Sequence, residues 1–253
     1  MKKYLFKKIN IIILFSIILL VLSIIFIKSS DPNIAEVFST DKKLPIYGVD
    51  RDDKKVAISF DAAWGDEFTK EILDILDENN IKTTFFLVEF WVDKYPELVK
   101  EIDKRGHEIG NHSSSHPYMS ELSEKQIVEE LKKTEEKIHK LTGKTTVLFR
   151  PPYGDYNNRL IEVSNKNNYH VIQWSIDSLD WKEKGVQPVV DRVIKDINSG
   201  SIILFHNNAK YVTGYLPIIL KELKEKGYEI VPISEVIYKK DYYIDHRGIQ
   251  YKK

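Results

Sequence analysis

Strand-like and helix-like segments alternate along most of this chain. Short apolar runs at 56–60 and 82–88 have strand character, and each precedes a segment with helical periodicity, at 67–78 and 96–105. Such alternation is typical of parallel strands joined by right-handed helical crossovers, because a parallel strand needs a long connection to re-enter its sheet. The pattern predicts an α/β fold built from βα units.

The alternation continues toward the carboxyl terminus. Further strands are predicted at 146–149, 170–174, 201–205 and 229–231, and further helices at 123–141, 157–166, 188–198, 216–226 and 233–238. The helix at 123–141 has the clearest ends, because Ser123 and Gln126 make a capping-box pattern and Gly143 can end a helix. About 220 residues follow the first thirty, a length suited to a single α/β barrel.

The composition excludes some classes of protein and of site. Lys and Arg number 38 and Asp and Glu also number 38, so no global positive charge suggests a nucleic-acid partner. The chain has no cysteine, which rules out disulfides and thiolate metal sites. A metal in this protein would therefore be held by nitrogen and oxygen ligands.

The amino terminus predicts a membrane anchor. Four lysines within residues 2–8 precede an almost wholly apolar stretch at 9–27. Nineteen helical residues rise about 28 Å, close to the hydrocarbon thickness of a bilayer. The basic flank predicts a cytoplasmic amino end and a single-pass protein whose remaining chain is extracytoplasmic. Residues 25–30 lack the small-x-small pattern that precedes signal cleavage, so the anchor is expected to be retained.

These features divide the chain into four parts. Residues 1–28 hold the basic flank and the transmembrane anchor, and the polar stretch 29–43 is a linker. Residues 44–240 form the folded domain. The mixed, aromatic tail at 241–253 carries no recognisable chemistry, and we expect the protein to be a monomer.

His112 and His116 are the first candidate site residues. They lie four residues apart just after a strand-like segment, and one helical turn would aim both imidazoles at one point. Two converging imidazoles are the minimum for a divalent metal, and imidazole suits Zn, Co, Ni and Fe. The pair alone leaves open the simpler alternative of two surface or core histidines.

Four other motifs also follow short apolar runs. They are Ser-Phe-Asp-Ala-Ala-Trp-Gly at 59–65, Arg-Pro-Pro-Tyr-Gly at 150–154, Asp-Ser-Leu-Asp-Trp at 177–181 and Leu-Phe-His at 204–206. Since the carboxyl ends of barrel strands share one face, all five motifs are predicted to meet there.

In order and spacing, the five motifs resemble those of the polysaccharide deacetylase (NodB-homology) family of metal-dependent carbohydrate esterases, over roughly residues 44–238. The first motif is most similar to the sporulation-type PdaB-like subgroup. The resemblance implies a distorted (β/α) barrel with seven strands rather than eight.

The resemblance also implies catalytic roles. Asp61 matches the general base and Arg150 the residue that orients it, whereas His206 matches the general acid. Asp180 is the best match for the carboxylate that raises the pKa of this histidine, and Asp177 is the competing choice. From the residues alone, Asp61 could instead cap the helix that follows.

Further roles concern the metal and the substrate. By similarity, His112 and His116 ligate the metal, and the backbone N–H of Tyr153 stabilises the oxyanion. Leu204 would line the pocket for the acetyl methyl group and Trp181 would wall the groove. A packed turn for Tyr153 and a core contact for Trp181 remain open alternatives. The other tryptophans near these motifs, Trp64 and Trp174, are expected to be packing residues.

One position departs from the family pattern. The usual first motif has two consecutive aspartates, the second a metal ligand, and here that position is Ala62. Only two protein ligands remain where catalytic sites usually have three. Water or a nearby carboxylate such as Asp66 or Glu67 could complete the shell, Asp61 could be recruited, or the site could bind metal weakly. Zn is the expected ion, with Co, Ni, Mn and Fe as alternatives.

The resemblance therefore implies a membrane-anchored, metal-dependent hydrolase. Its reaction would remove N-acetyl groups from amino sugars of a cell-wall glycan, with peptidoglycan as the expected polymer and sporulation as a possible setting. It would cleave an amide bond that is not a peptide bond. One alternative is a glycan-binding or scaffold protein whose catalysis is impaired by Ala62. Another is an esterase that removes O-acetyl groups from a polysaccharide.

Overall fold

A parallel sheet forms the centre of the fold in the computed structural model, which describes residues 16–21, 23 and 42–253. The strands are β1 (Gly48–Val49), β2 (Lys55–Ala62), β3 (Thr84–Leu87), β4 (Glu108–Asn111), β5 (Leu148–Phe149), β6 (His170–Val171), β7 (Ile176–Asp177), β8 (Ile202–His206), β9 (Glu229–Ile230), β10 (Tyr242–Ile244) and β11 (Ile249–Lys252). Seven of them pair in the order β6-β5-β4-β3-β2-β8-β7, and every pairing is parallel. β9 adds to the first residues of β2, also in parallel.

Helices follow most strands of the parallel sheet. They are α1 (Thr69–Glu78), α2 (Glu89–Lys94), α3 (Pro96–Lys104), α4 (Glu124–Thr142), α5 (Asn158–Lys166), α6 (Val186–Asp196), α7 (Val212–Glu225) and α8 (Ile233–Val236). The predicted alternation is confirmed, and the capping box of Ser123 and Gln126 begins α4 while Gly143 ends it with φ 72°. α2 was not predicted, because six residues are too few to show helical periodicity.

The sheet is an open half-barrel. β6 and β7 are the two ends of the strand order, and they do not pair with each other. Beside β6 lies the segment that precedes β1, where Ile46 N–H donates to Val171 O at 2.8 Å and Gln173 N–H donates to Ile46 O at 2.7 Å. The α/β fold with seven parallel strands in one sheet is confirmed, and its distortion is this missing β6–β7 pairing.

Aromatic packing aligns the three central strands. Phe60 of β2 stacks on Phe85 of β3 at 5.1 Å and on Phe205 of β8 at 5.8 Å between ring centroids. The three residues are also direct partners in the sheet register. All three are fully buried, and each aromatic side chain stabilises the fold by about 2–3 kcal/mol through burial. This alignment brings the carboxyl ends of the strands to one level.

The tail at 241–253 folds as a hairpin. β10 pairs with β11 in antiparallel fashion, and β11 pairs in parallel with β1. Gly248 turns the hairpin at φ 80°, and a Cβ atom there would lie 2.3 Å from the ring of Tyr47. The sequence did not show this element, because its strands are short and their partner β1 is about 200 residues away in the chain.

The predicted anchor at 9–27 lies largely outside the described residues. Within the part of the chain that is described, no helix is long and apolar enough to cross a bilayer. Residues 16–21 are helical. The anchor and the location of the protein therefore stay predictions from the sequence.

His107 should make the stability of the fold depend on pH. Its Nδ1 accepts the N–H of Thr83 at 3.2 Å, its ring packs edge-on against Phe85, and its Nε2 has no partner in the described chain. Burial lowers its pKa from 6.5 to about 4. The unfolded chain therefore binds this proton near pH 6.5 and the folded protein only near pH 4. Neutral His107 therefore contributes fully to the stability of the fold above pH 6.5. About 2–3 kcal/mol of the free energy of unfolding is lost as the pH falls to 4.

Urea unfolding at pH 7 and pH 4.5 tests this for the parent and His107→Asn, which keeps an acceptor for Thr83. The variant should be less stable at pH 7 and should lose less stability on acidification. Equal losses in both proteins would show that His107 does not titrate in this range.

Candidate active site

A cavity of about 510 Å³ opens at the carboxyl ends of the strands. Eight of the ten predicted site residues line it: Asp61, His112, His116, Tyr153, Asp177, Trp181, Leu204 and His206. The other two, Arg150 and Asp180, lie buried behind the lining and contact it. The structure therefore brings all five sequence motifs together on one face.

Asp61 is held by a buried arginine. Arg150 is fully buried, and its Nη1 donates to Asp61 Oδ1 at 2.7 Å while its Nη2 donates to Ser59 Oγ at 2.9 Å. Burial is the largest single effect and would raise the pKa of Asp61, but the charge of Arg150, the nearby histidines and the hydrogen bond from Arg150 together outweigh burial and hold this pKa below its ordinary value. The carboxylate is thus ionised at neutral pH. Ser59 was not predicted, although its position two residues before Asp61 puts it on the same strand face.

Arg150 is supported by rings as well as by hydrogen bonds. Its guanidinium lies 4.1 Å from the centroid of Phe86 and 5.7 Å from that of Trp174. Its Nη2 also donates to Gln173 O at 3.2 Å. Stacking and bonding together compensate for removing a permanent charge from water.

The two histidines converge, but not by a helical turn as predicted. Their ring centroids are 5.0 Å apart, and His112 Nε2 lies 3.5 Å from Asp61 Oδ2. Ser113 and His116 have left-handed backbones, with φ 71° and 57°. A loop stabilised by side chains replaces the helix, because Asn111 Oδ1 accepts Ser113 N–H and Glu130 accepts the N–H groups of residues 114 and 115. Glu130 comes from α4, which the local sequence does not indicate.

Both imidazoles are neutral. His112 donates Nδ1–H to Arg150 O at 2.7 Å, so its Nε2 carries a lone pair. Burial lowers the pKa of His112 and lowers that of His116 to about 4. The Nδ1 of His116 is buried without a partner among the described residues. Two unprotonated imidazoles therefore lie beside one carboxylate.

This donor set does not fit a catalytic metal with three protein ligands. Among the described residues, no group of three or more His, Asp or Glu side chains could hold a metal ion. Ala62 is fully buried, and it belongs with its strand partner Leu87 to the apolar cluster of the core. Asp66 and Glu67 line a separate hollow with Lys70 and Lys94. We therefore assign no chemical step to a metal.

Ala62→Asp tests the third-ligand position. Without a cation, the new carboxylate would be buried, and we expect a loss of about 3 kcal/mol in the free energy of unfolding. Zn²⁺ should restore most of this loss if the new carboxylate completes three ligands with the two imidazoles, as the family resemblance implies for this position.

Ala57→Asp is the matched control, since Ala57 is equally buried in β2 but lies toward the other end of the strand. It should be destabilised without recovery in Zn²⁺. Thermal unfolding in EDTA and in Zn²⁺ measures both variants. If Zn²⁺ restored the stability of both variants equally, or of neither variant, a ligand role at position 62 would be refuted.

His206 and Asp180 form the second charged pair. His206 Nδ1 lies 2.7 Å from Asp180 Oδ1, and the backbone N–H of His206 donates to Asp180 Oδ2 at 2.8 Å. Burial alone would lower the pKa of His206, but the hydrogen bond to Asp180 and the charges of Asp180, Asp61 and Asp177 together outweigh burial and raise it. Asp180, not Asp177, therefore contacts the imidazole. Asp177 accepts Leu179 N–H at 2.9 Å and adds its charge from the cavity wall.

Tyr215 is a site residue that the sequence did not indicate. It is fully buried on α7, and its hydroxyl donates to Asp180 Oδ2 at 2.8 Å. The backbone N–H of Trp181 also donates a hydrogen bond to Asp180, at Oδ1. Tyr215→Phe would leave Asp180 with one hydrogen-bond donor fewer, so the negative charge of Asp180 would act more strongly on His206. We expect about 2 kcal/mol less stability and a higher pKa for His206.

Urea unfolding and an NMR titration of the His206 ring measure the two effects. Tyr228→Phe is the control, because its hydroxyl donates to Ile197 O instead. A pKa of His206 that does not change in Tyr215→Phe would contradict this role.

The expectation that Trp64 is a packing residue is wrong. Its side chain is 56% exposed and lines the cavity. Gly65, with φ 65°, turns the chain after β2, and its carbonyl accepts Trp91 Nε1–H at 2.7 Å. Trp91, which is 1% exposed, takes the packing role instead. Trp174 is half-buried and also lines the cavity.

The sequence of this chain is similar to those of known proteins. A model of the polysaccharide deacetylase family matches residues 48–172. The peptidoglycan-N-acetylglucosamine deacetylase of Bacillus cereus is 35% identical over 196 residues, which cover 76% of this chain and 92% of that protein. The uncharacterized protein YlxY of Bacillus subtilis is 35% identical over 193 residues, which cover 76% of this chain and 60% of that relative.

Similar solved structures include BA3943 of Bacillus anthracis, described as a CE4 family pseudoenzyme. It is 31% identical, with a TM-score of 0.74 over 83% of this chain and 73% of that one. A BA3943 mutant described as having restored enzymatic activity is 34% identical, with a TM-score of 0.75 over 78% of this chain and 72% of that one. Placement in the PdaB-like subgroup stays a prediction. The sequence match and the shared fold show that this chain belongs to the polysaccharide deacetylase family.

Proposed function

We propose that this domain hydrolyses the N-acetyl groups of amino sugars in a cell-wall glycan, with peptidoglycan as the polymer. The observation that carries the proposal is one cavity that holds an ionised carboxylate, Asp61, and a histidine with a raised pKa, His206. Hydrolysis of an amide needs both a base and an acid. The name of the Bacillus cereus relative, a peptidoglycan-N-acetylglucosamine deacetylase, supports this substrate class.

In the proposed reaction, Asp61 takes a proton from the water that attacks the acetyl carbonyl carbon. Arg150 keeps the carboxylate ionised and aligned. His206 gives its proton to the amine as the C–N bond breaks, so that acetate and a free amino sugar result. Leu204 contacts the acetyl methyl group, and the N–H of Tyr153 donates to the oxyanion.

The charges of the cavity favour a neutral ligand. Its lining contains no lysine or arginine within the described chain, and it includes the carboxylates Asp61 and Asp177. An anionic ligand such as a nucleic acid would be repelled. An uncharged N-acetylated sugar presents hydroxyl and amide groups, which carboxylates and histidines can bind.

We propose an extracytoplasmic location, anchored by residues 9–27, which would place the domain beside the cell-wall polymer. Its support is the lysine-flanked apolar stretch of the sequence. The resemblance of the first motif to the sporulation-type PdaB-like subgroup supports a role in sporulation. Both statements depend on the sequence alone.

A second candidate function is glycan binding without turnover. It is favoured by the absence of a three-ligand metal site from the described residues and by the likeness to BA3943, a described pseudoenzyme. The acid and base pairs speak against it, since a binding protein needs no acid–base pair. Acetate release distinguishes the two functions.

The experiment uses residues 44–253, which form one compact unit with its own core. Acetate release is measured from N-acetylglucosamine oligomers, from purified peptidoglycan and from an O-acetylated polysaccharide. Each assay is run in EDTA and with Zn²⁺, Co²⁺ or Mn²⁺. Release from the N-acetylated substrates supports the proposal, and release only from the O-acetylated one would make the protein an esterase. Binding with no release under any condition would leave the second function.

A further inference from the structure

The loop at 112–116, which we call the histidine loop, has an unusual backbone. Ser113 and His116 are both left-handed, with φ 71° and 57°. A residue with a Cβ atom adopts this conformation at an energetic cost, because Cβ approaches the following carbonyl oxygen. Such a loop keeps its shape only where groups from other parts of the fold stabilise it. The contacts of this loop therefore show what holds the two imidazoles in place.

The side chain of Glu130, on α4, makes three hydrogen bonds to the histidine loop. Its Oε2 accepts the N–H groups of Ser114 and Ser115, each at 2.8 Å, and its Oε1 accepts the hydroxyl of Ser115 at 2.8 Å. Consecutive N–H groups that converge on one oxygen form an anion-binding nest. Hydrogen bonds to a carboxylate are roughly twice as strong as those between neutral groups. Glu130 therefore supplies the anion of this nest from within the chain.

Two further side chains hold the histidine loop. The hydroxyl of Ser114 donates to Glu89 Oε2, and Asn111 Oδ1 accepts the N–H of Ser113 at 2.9 Å. Glu130 differs from both, because it binds backbone N–H groups of the loop with a charged side chain. Removing it would leave two adjacent N–H groups of the loop without their acceptor.

The histidine loop forms part of the cavity wall. His112 Nε2 lies 3.5 Å from Asp61 Oδ2. The ring centroid of His116 lies 4.6 Å from that of Tyr153 and 4.7 Å from that of Trp64. A change in the loop would therefore move both imidazoles. It would also remove the ring that packs on Tyr153, whose N–H is the proposed donor to the oxyanion.

We infer that Glu130 is a positioning residue for the proposed reaction. Its carboxylate fixes the shape of the histidine loop, and the loop holds the two imidazoles against Asp61 and Tyr153. Glu130 is half-buried and is not among the residues that line the cavity, so it acts through the loop. This inference rests on the proposed function and adds to it a residue outside the five sequence motifs.

Glu130→Ala, made in residues 44–253, would empty the nest. The turnover number for acetate release should fall by on the order of 10- to 100-fold, because the reacting groups would be misplaced. KM should change by less than about twofold, since the residues that line the cavity all remain. Formate is a carboxylate small enough for the space left by the side chain, and it should restore much of the turnover. Thermal unfolding shows whether each variant is folded at the assay temperature.

An NMR measurement of the imidazole C–H signals tests the inference without turnover. The signals of His116 should move in Glu130→Ala, because the rings of Trp64 and Tyr153 lie close to this imidazole. Formate should return them toward their positions in the parent. If the parent releases no acetate under any condition, the proposed hydrolysis fails, whereas the His116 signals still decide whether Glu130 positions the loop.

Glu129→Ala is the matched control, because Glu129 is the exposed neighbour on α4 and pairs with Lys125 at 3.9 Å. It should keep the turnover and the His116 signals of the parent and should not respond to formate. Glu130→Gln keeps one acceptor oxygen for the nest and should show a smaller loss, so it serves if the alanine variant does not fold. Unchanged His116 signals in the Glu130 variants, or an equal effect of the control, would overturn the inference.

Discussion

Replacing His206 with alanine is expected to lower turnover by on the order of 100-fold or more, with little loss of stability. The imidazole lines the cavity and its pKa is raised, so its loss removes the acid for the departing amine. The fold should persist, because Asp180 would still accept three hydrogen bonds. Their donors are the backbone N–H groups of residues 206 and 181 and the hydroxyl of Tyr215. Acetate release and thermal unfolding measure the two quantities.

The pH profile separates an acid from a structural histidine. Since the pKa of His206 is raised by Asp180, the active protonated form is present below that pKa, and turnover should fall as the pH rises through it. Asp180→Asn should move this fall to lower pH. His139→Ala is the matched control, because His139 is exposed on α4. Unchanged turnover in His206→Ala would exclude the role of general acid.

Replacing Arg150 with methionine is expected to destabilise the protein by about 3–5 kcal/mol, because Asp61 would be left as a buried charge without its partner. Turnover at neutral pH should also fall by on the order of 100-fold, since burial would then raise the pKa of Asp61 and protonate the base. Urea unfolding and acetate release measure the two effects.

The change of stability with pH tests whether the unpaired charge of Asp61 causes the loss in Arg150→Met. In the parent, the pKa of Asp61 is below its ordinary 3.8, so the stabilisation is present above pH 3.8 and is lost as the pH falls further. In Arg150→Met the pKa of Asp61 would be raised, and the penalty should shrink as the pH falls from 7 to 5. The double variant Arg150→Met with Asp61→Asn should recover much of the stability. If the single and double variants were equally stable at pH 7, the buried charge would not be the cause.

Local signals explain why much of the fold could be predicted. Helix α4 has its cap, its apolar stripe and its terminal glycine within the consecutive residues 123–143. Strand β2 is an apolar run, and a polar motif follows it. Since parallel strands end at one face, the order of such segments already predicts that Asp61, His112, Arg150 and His206 meet.

The sequence by itself determined the α/β class, the strand ends that carry the motifs and the ionisable residues available to the site. Only the tertiary structure decided which groups touch. Asp180 rather than Asp177 binds His206, Tyr215 reaches Asp180 from a helix, and Trp64 lies on the surface while Trp91 fills the core. The physical reason is the range of the interactions. Periodicity and caps act over a few residues, whereas hydrogen bonds and burial join side chains that are distant in the chain and neighbours only in the folded barrel.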